Sequence, residues 1–168
     1  MTGNEVNLNQ MLERREKRAF EQKLFLEKYK SPLISFSMNI PGPIKTNEFI
    51  RKAFEAGENS LLEALKNIKA EINDISEIHE DTGDELLLSI KNFSPEILKN
   101  LAVKIENASE AARLFDIDVI DTAGKKLSRK NFRKCLICGN QAQECARSRA
   151  HSVEEMQNAV EKLLADFT

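Results

Sequence analysis

The chain of 168 residues predicts an α+β fold: a ferredoxin-like β-α-β-β-α-β core with an N-terminal helix, a cysteine-rich loop and a C-terminal helix. Three observations carry this prediction. Short stretches with an apolar/polar period of two recur along the middle of the chain, and stretches of helical period separate the first from the second and the third from the fourth. Pro and Gly mark several junctions between them. A charged run without Gly or Pro precedes the pattern, and a capping-box helix start follows it.

Asn9 to Tyr29 reads as a charged helix, with Leu12, Phe20 and Leu24 as its sparse apolar side and Lys30-Ser31-Pro32 as its end. Arg15, Arg18 and Gln22 share one face of it. Leu33 to Ile40 alternates: Ile34, Phe36, Met38 and Ile40 point one way, Leu33, Ser35, Ser37 and Asn39 the other. Pro41-Gly42-Pro43 stops this strand and Lys45 follows. A helix runs from about Asn47 to Lys66 on Ile50, Phe54, Leu61 and Leu65. Ile75 to Asp81 reads as a strand, although Ile68, Ile72, Ile75 and Ile78 also have helical spacing. Thr82-Gly83-Asp84 is a turn, and Glu85 to Lys91 a strand with Leu86, Leu88 and Ile90 on one side. Ser94-Pro95-Glu96 places an N-cap before Pro at N1, and Ile97, Leu98, Leu101, Ala102 and Ile105 turn that helix inward. Leu114 to Asp121 alternates again, with Phe115, Ile117 and Val119 opposite Asp116 and Asp118. Ser152 and Glu155 open the last helix. The chain therefore reads as one catalytic domain: an N-terminal helix over 1–30, an α+β core over 31–121, a basic Cys/Arg/His segment over 122–151 and a C-terminal helix over 152–168.

A split β-α-β sheet has antiparallel neighbours in the order four-one-three-two. The end of strand one then lies beside the starts of strands three and four. This gathers Asn39, Gly42, Lys45, Thr82, Gly83 and Arg113 along one edge, with His79 at the same edge. Ser35, Ser37 and Asn39 should flank Asp116 and Asp118 on a polar surface away from the helices.

Hydrophobic content of 41% and charged content of 31% fit a globular chain with a real core. No apolar run is long enough for a membrane span, and the first thirty residues are too charged for a secretory signal. All three cysteines cluster, which suits a reducing compartment, so the protein is expected in the cytoplasm. The net charge of −2 hides an asymmetry. Between Thr122 and His151, Lys125, Lys126, Arg129, Lys130, Arg133, Lys134, Arg147 and Arg149 face Glu144 alone, an excess of +7. A solvated loop would explain the run; so would a patch for phosphates or an acidic partner.

Two carboxylates on one strand face, Asp116 and Asp118, can converge on one Mg²⁺ that shields a diphosphate leaving group. Cys135, Cys138, Cys145 and His151, in the pattern C-x2-C-x6-C-x5-H, form a candidate Cys₃His site for structural Zn²⁺; the alternative is buried thiols acting as small apolar residues. Without metal, His151 is a candidate general base or phosphate ligand. Arg147 and Arg149, if extended, face the same way and could grip two polyphosphate oxygens. His79, beside Glu80 and Asp81, is a candidate base or an ordinary polar residue at a turn.

Leu33-Ile-Ser-Phe-Ser-Met-Asn-Ile-Pro-Gly-Pro-Ile-Lys45, Arg113-Leu-Phe-Asp-Ile-Asp-Val119, Gly124-Lys-Lys-Leu-Ser-Arg129 and the block from Arg133-Lys-Cys to Ala-Arg-Ser-Arg-Ala-His-Ser152 are similar to the holo-citrate lyase synthase family. The resemblance covers nearly the whole chain in order, with the N-terminal helix and the segment from Lys69 to Glu80 matching more loosely. It implies a nucleotidyltransferase. Phosphoribosyl-dephospho-CoA would pass from 2′-(5″-triphosphoribosyl)-3′-dephospho-CoA to a serine of the acyl carrier (gamma) subunit of citrate lyase, with diphosphate released. Mg²⁺ at Asp116 and Asp118 suits that chemistry. Arg147, Arg149 and Lys45 would hold phosphates, beside Asn39, Gly42, Thr82, Gly83, Arg113, Arg15 and Arg18. An acidic carrier suits the basic segment. Two rivals stand beside this reading: a related enzyme serving another carrier, such as that of malonate decarboxylase, and a non-catalytic zinc-knuckle module binding nucleic acid. Nucleic acid is not expected, because Phe132 alone interleaves with the basic residues as a stacking platform.

Overall fold

The computed structural model describes residues 1–167 as a mixed α+β fold with five α-helices and a four-stranded antiparallel sheet among them. In chain order these are α1 (Leu8–Tyr29), β1 (Leu33–Met38), α2 (Glu48–Asn67), β2 (Ile72–Glu80), β3 (Gly83–Ile90), α3 (Pro95–Glu106), β4 (Phe115–Ile120), α4 (Ala142–Ser148) and α5 (Val153–Leu164), with 3-10 turns at Ala111–Leu114 and Ala165–Phe167. The sheet order is β2-β3-β1-β4 with every neighbour antiparallel, the order and pairing expected of the alternating strands. Ser35 pairs with Asp118 and Ser37 with Asp116. β2 begins at Ile72, three residues before the expected start. Lys69, at φ 58, closes the turn after α2, so Ile72 can pair with Ile90.

One sheet face carries the core. Ile34, Phe36, Leu86, Leu88, Ile117 and Val119 pack against Phe54, Leu61 and Leu65 of α2 and Leu98 and Ala102 of α3. The Phe36 and Phe54 rings stack with centroids 4.8 Å apart. Helix α2 needs Gly57 for this packing, because a Cβ there would sit 2.6 Å from Phe36 and 2.9 Å from Phe115. Helix α5 adds Val160 and Leu164 against Ile40, Ile50, Ala53 and Leu114. Ile40 thus keeps its buried position although β1 ends at Met38.

The opposite face keeps the expected polar set of Ser35, Ser37, Asp116 and Asp118 but does not lie away from the helices. Helix α1 lies on it, and Leu33, Leu87 and Ile120 pack under Phe25 and Leu26. The helix consequently faces the sheet with a different side from the one its apolar spacing indicates. Leu12, Phe20 and Leu24 are exposed, and so is Arg15. Arg14 is the buried cation: it bonds Glu85 at 2.7 Å and Glu21 at 2.9 Å, while Arg18 pairs with Glu85 and Gln22 donates to Ser35 Oγ at 3.2 Å. The reason is Glu85, a carboxylate buried on the sheet that must be matched by cations. Burial alone would raise its pKa; hydrogen bonds from Arg18 and Arg14 outweigh burial and hold the carboxyl below its usual range.

β4 is an edge strand whose outward backbone groups are satisfied by side chains and a loop rather than by another strand. Glu106 Oε1 accepts from Ile117 N at 2.8 Å, Lys99 Nζ donates to Ile117 O at 3.2 Å, Arg133 donates to Phe115 O at 2.8 Å and Leu127 N donates to Val119 O at 2.9 Å. This edge fastens the 122–151 segment to the core. No helix among the described residues is long and apolar enough to cross a membrane.

Candidate active-site cleft

A cleft of about 1320 Å³ opens between the end of α3, the 3-10 turn at Ala111–Leu114, residues 129–136, α4 and the start of α5. Drug-sized pockets run about 300–1,000 Å³, so this one suits a larger ligand. Its lining is basic: Lys104, Arg113, Arg129, Lys130, Arg133, Lys134 and Arg149 outnumber Glu106 and Glu110. Phe132, Leu136, Val153 and Met156 add apolar surface. Cations beside apolar patches suit a ligand that carries both phosphates and a nonpolar body.

Two charged clusters anchor the walls. Glu106 is buried and meets both Arg133 and Arg129, the latter at 3.3 Å, and Arg133 reaches on to Asp116 at 3.3 Å. Lys99, whose pKa burial lowers, stands close enough to Glu106 and Asp118 for their charges to oppose that shift. Arg113 bonds Glu110 at 2.7 Å and donates to the carbonyls of Lys134 and Cys135, each at 3.0 Å. One guanidinium therefore ties the 3-10 turn to the start of the cysteine loop.

The four cysteine-loop donors converge. The ligand atoms of Cys135, Cys138, Cys145 and His151 all lie within 4.8 Å of one another, and the set could bind a metal such as zinc. Cys138 Sγ is 3.5 Å from Cys145 Sγ and 3.3 Å from His151 Nε2. The Asn140 backbone N–H, His151 and Cys145 draw the Cys138 thiol down to about 6. Its hydrogen bond with Cys138, then burial, push Cys145 up to about 12.

The structure brings some sequence candidates to the cleft and leaves others outside it. Asn39, Arg113, Cys135, Cys145, Arg149 and His151 line it. Asp116 and Asp118 are outside the cleft lining; they project from β4 on the sheet face that α1 covers, where Arg133 meets Asp116 at 3.3 Å and Lys126 meets Asp118 at 2.5 Å. Gly42, at φ +83, is pressed against α5: a Cβ there would collide with the Gln157 side chain and sit 3.1 Å from Val153. The adjacent Pro41 lines the cleft. Lys45 is half-buried and donates to Ile40 O at 2.6 Å, and burial lowers its pKa. Thr82 lies with Asp81 in the β2–β3 turn, and Gly83 opens β3 near Lys45. Arg15 and Arg18 belong to α1 on the other face of the sheet.

Arg147 and Arg149 are not extended. Arg147 lies in the last turn of α4, outside the cleft lining, and Arg149 is the left-handed cap at φ 50. Two residues along a helix turn side chains about 200° apart, so a shared direction is lost.

His79 sits on β2, the strand furthest from β4. Its Nδ1 meets Asp84 at 2.7 Å and its Nε2 meets Glu77 at 2.8 Å. Asp84 is fully buried and also receives Arg51 at 2.9 Å and Thr46 at 3.2 Å. The Asp84 hydrogen bond, against a smaller opposing effect of burial, raises the His79 pKa. Three strand spacings, roughly 14 Å, separate this cluster from β4.

Arg129 and Arg133 are legible in the sequence through the charge excess and as ends of two family motifs, whereas Glu106 is missed. The available signal is Lys99 and Glu106, seven residues apart on the flank of an amphipathic helix, which places both at one boundary of its buried face.

Known proteins match this chain along nearly its whole length. The profile of the family described as apo-citrate lyase phosphoribosyl-dephospho-CoA transferase matches residues 6–167. A Vibrio cholerae protein named as a probable apo-citrate lyase phosphoribosyl-dephospho-CoA transferase is 35% identical over 167 residues, covering 97% of this chain and 94% of its own. Proteins with the same name, without the qualifier, from Citrobacter koseri and Escherichia coli O157:H7 are each 32% identical. Those alignments cover 98% and 96% of this chain, and 92% and 90% of theirs.

Proposed function

We propose a reaction for a chain that, on these matches, belongs to the apo-citrate lyase phosphoribosyl-dephospho-CoA transferase family, a family of enzymes. The substrate is 2′-(5″-triphosphoribosyl)-3′-dephospho-CoA and the acceptor is a serine of the acyl carrier (gamma) subunit of apo-citrate lyase. The serine oxygen attacks the phosphorus nearest the ribose. The bond from that phosphorus to the bridging oxygen breaks, and diphosphate leaves with the electron pair. The serine proton is lost and a phosphodiester remains on the carrier.

The single observation behind this reading is the large basic and apolar cleft, built in part from the segments that carry the family resemblance and in part from α3 and the start of α5. Its cations fit the phosphates, with Arg149, Arg129 and Lys130 as the candidate grips. Phe132, Val153 and Met156 offer contact to the nucleoside or pantetheine portion. Asp116 and Asp118 fit a divalent cation chemically: their carboxylates lie on one strand face and each already faces a cation, Arg133 or Lys126. When bound, Mg²⁺ would shield the charge of the departing diphosphate. Arg133 links this pair to the cleft, holding Glu106 and Asp116 together. The strand order supports a ferredoxin-like core as the scaffold of a single catalytic unit.

The test is direct. Protein, apo-carrier, precursor and Mg²⁺ are mixed and the carrier is weighed by mass spectrometry. The carrier should gain one phosphoribosyl-dephospho-CoA group on a serine, and diphosphate should appear in equal amount. An unmodified carrier, or modification equally good with the malonate decarboxylase carrier, would overturn the assignment or its specificity.

A further inference from the structure

The 122–151 segment poses a physical problem. In it, Cys135 and Cys145 alone are buried; Leu127, Leu136 and Ala142 are partly buried, and Phe132 and Ile137 are exposed. Its one α-helix, α4, has 7 residues, whereas isolated helices shorter than about 12–15 residues are marginal in water. Eight cations repel one another within it. Yet it forms one wall of the cleft. The β4 edge and Arg113 fasten its first part; the cysteine loop beyond them needs a further interaction.

We propose that Cys135, Cys138, Cys145 and His151 bind one Zn²⁺ in a closed tetrahedral site, and that this ion takes the place of a hydrophobic core for the segment. The donor atoms are already placed for it. Zinc–sulfur bonds of about 2.3 Å put tetrahedral sulfurs roughly 3.7 Å apart, and the observed separations are 3.5 Å between Cys138 and Cys145 and 3.3 Å between Cys138 and His151. The turn is shaped to present thiolates. Ile137 N donates to Cys135 Sγ at 3.5 Å, Gly139 N to Cys135 O at 3.3 Å, and Cys135 N to Asn140 O at 2.6 Å. Gly139 takes φ +74, a conformation that other residues adopt only with strain. Helix α4 delivers Cys145, and its left-handed cap at Arg149 turns the chain so that His151 comes back to Cys138.

The donor set selects the ion. Three soft sulfurs and an imidazole favour zinc over magnesium or calcium. Four protein ligands leave no position for water, so the site is structural. Zinc with three thiolates carries a net charge of −1, which the surrounding arginines and lysines offset. Because Cys135, Cys145 and His151 line the cleft, the ion would also fix the position of Arg149 there. The assignment stands independently of the transferase reading, and its readouts do not use activity.

Protein without an affinity tag is purified reduced, its metal measured, and the zinc then exchanged for Co²⁺. The expected result is about one zinc per chain and a cobalt spectrum with tetrahedral intensity and thiolate charge transfer. Chelation should expose 122–151 to protease while 31–121 stays resistant. Cys138 is exposed, so Cys138→Ser should spare packing and abolish stoichiometric binding. His151→Cys keeps four donors and should retain it. Well under one zinc per chain with no cobalt charge transfer, binding retained in Cys138→Ser, or a Cys138–Cys145 disulfide in the protein as isolated would each overturn the proposal.

Discussion

The sheet with its helices and the basic segment beside it are held together by opposite means. In the first, Ile34, Phe36, Phe54 and Leu61 are completely buried, and the buried charges Glu85 and Asp84 are matched by arginines. In the second, the apolar side chains Leu127, Leu136 and Ala142 are only partly buried and charge dominates. The lesson is a division of labour. Burial of apolar area stabilises the scaffold, which can then carry a segment whose like charges would not hold a compact shape alone. Those charges supply the cleft. Four perturbations separate the two roles, the strongest first.

Asp116 and Asp118 stand on the border, rooted in β4 but facing Arg133 and Lys126 of the segment. Asp116→Asn or Asp118→Asn should lower turnover by about 10³-fold or more, as expected when a metal clamp worth several kcal/mol is lost. Stability should change by no more than about 0.5–1 kcal/mol, because both pairs are partly exposed. Steady-state turnover beside urea unfolding checks both halves. Near-normal turnover in the two variants would remove the metal role.

Within the scaffold, Phe54→Ala deletes a fully buried ring that stacks on Phe36. It should cost about 3–5 kcal/mol of unfolding free energy. Phe132→Ala, the same substitution in the segment at a side chain 66% exposed, should stay within about 0.5 kcal/mol. Equal costs would mean that the segment has packing the structure does not show.

Most of the scaffold was legible in the sequence because β4, α2 and α3 have a burial period, and the antiparallel order follows from the order of elements. Two features were not. The covering of the second sheet face by α1 was hidden, since that contact uses Arg14, Arg18 and Gln22 beside Phe25 and Leu26, and a mixed charged and apolar face leaves no clean periodic signal. The edge of β4 was hidden for a related reason. Glu106, Lys99 and Arg133 act there by bonding backbone groups, an interaction without periodicity. In the site, local motifs were legible: C-x2-C and D-x-D place their members by covalent spacing. What the sequence could not settle was long-range grouping. Asn39, Arg113, Arg149 and His151 reach the cleft, but His79 remains across the sheet and Arg147 points elsewhere, because a seven-residue helix occupies a stretch without a strong apolar face.

The arginines test that grouping. Arg149→Ala should weaken precursor binding by about 1–3 kcal/mol, the range for a charged hydrogen bond. Arg149→Lys should recover only part of it, because the planar fork is lost. Arg147→Ala should cost less than either. Calorimetric titration of precursor into each variant gives the order, and a larger loss at Arg147 would place the phosphates on the outer side of α4.

The weakest effect belongs to His79, and its sign distinguishes a structural clamp from a catalytic base. Asp84 raises the His79 pKa above its ordinary 6.5, with Glu77 adding to the shift. A raised folded-state pKa means the protonated imidazole is favoured in the native protein. Its stabilisation is therefore fully present below the unfolded pKa near 6.5 and is lost as pH rises through the higher folded value. His79→Gln should destabilise the protein at pH 6 and do so less at pH 9. The difference should stay below about 1 kcal/mol, because the side chain is 38% exposed and solvent screens the pair. Turnover should hold within a few-fold at both pH values, since Asp84 keeps Arg51 and Thr46 when the imidazole is removed and the cleft lies at the other edge of the sheet. Thermal unfolding of the two proteins across this pH range gives the sign. A destabilisation that grows with pH would show that His79 is held neutral, and a loss of turnover by orders of magnitude would bring its edge of the sheet into the reaction.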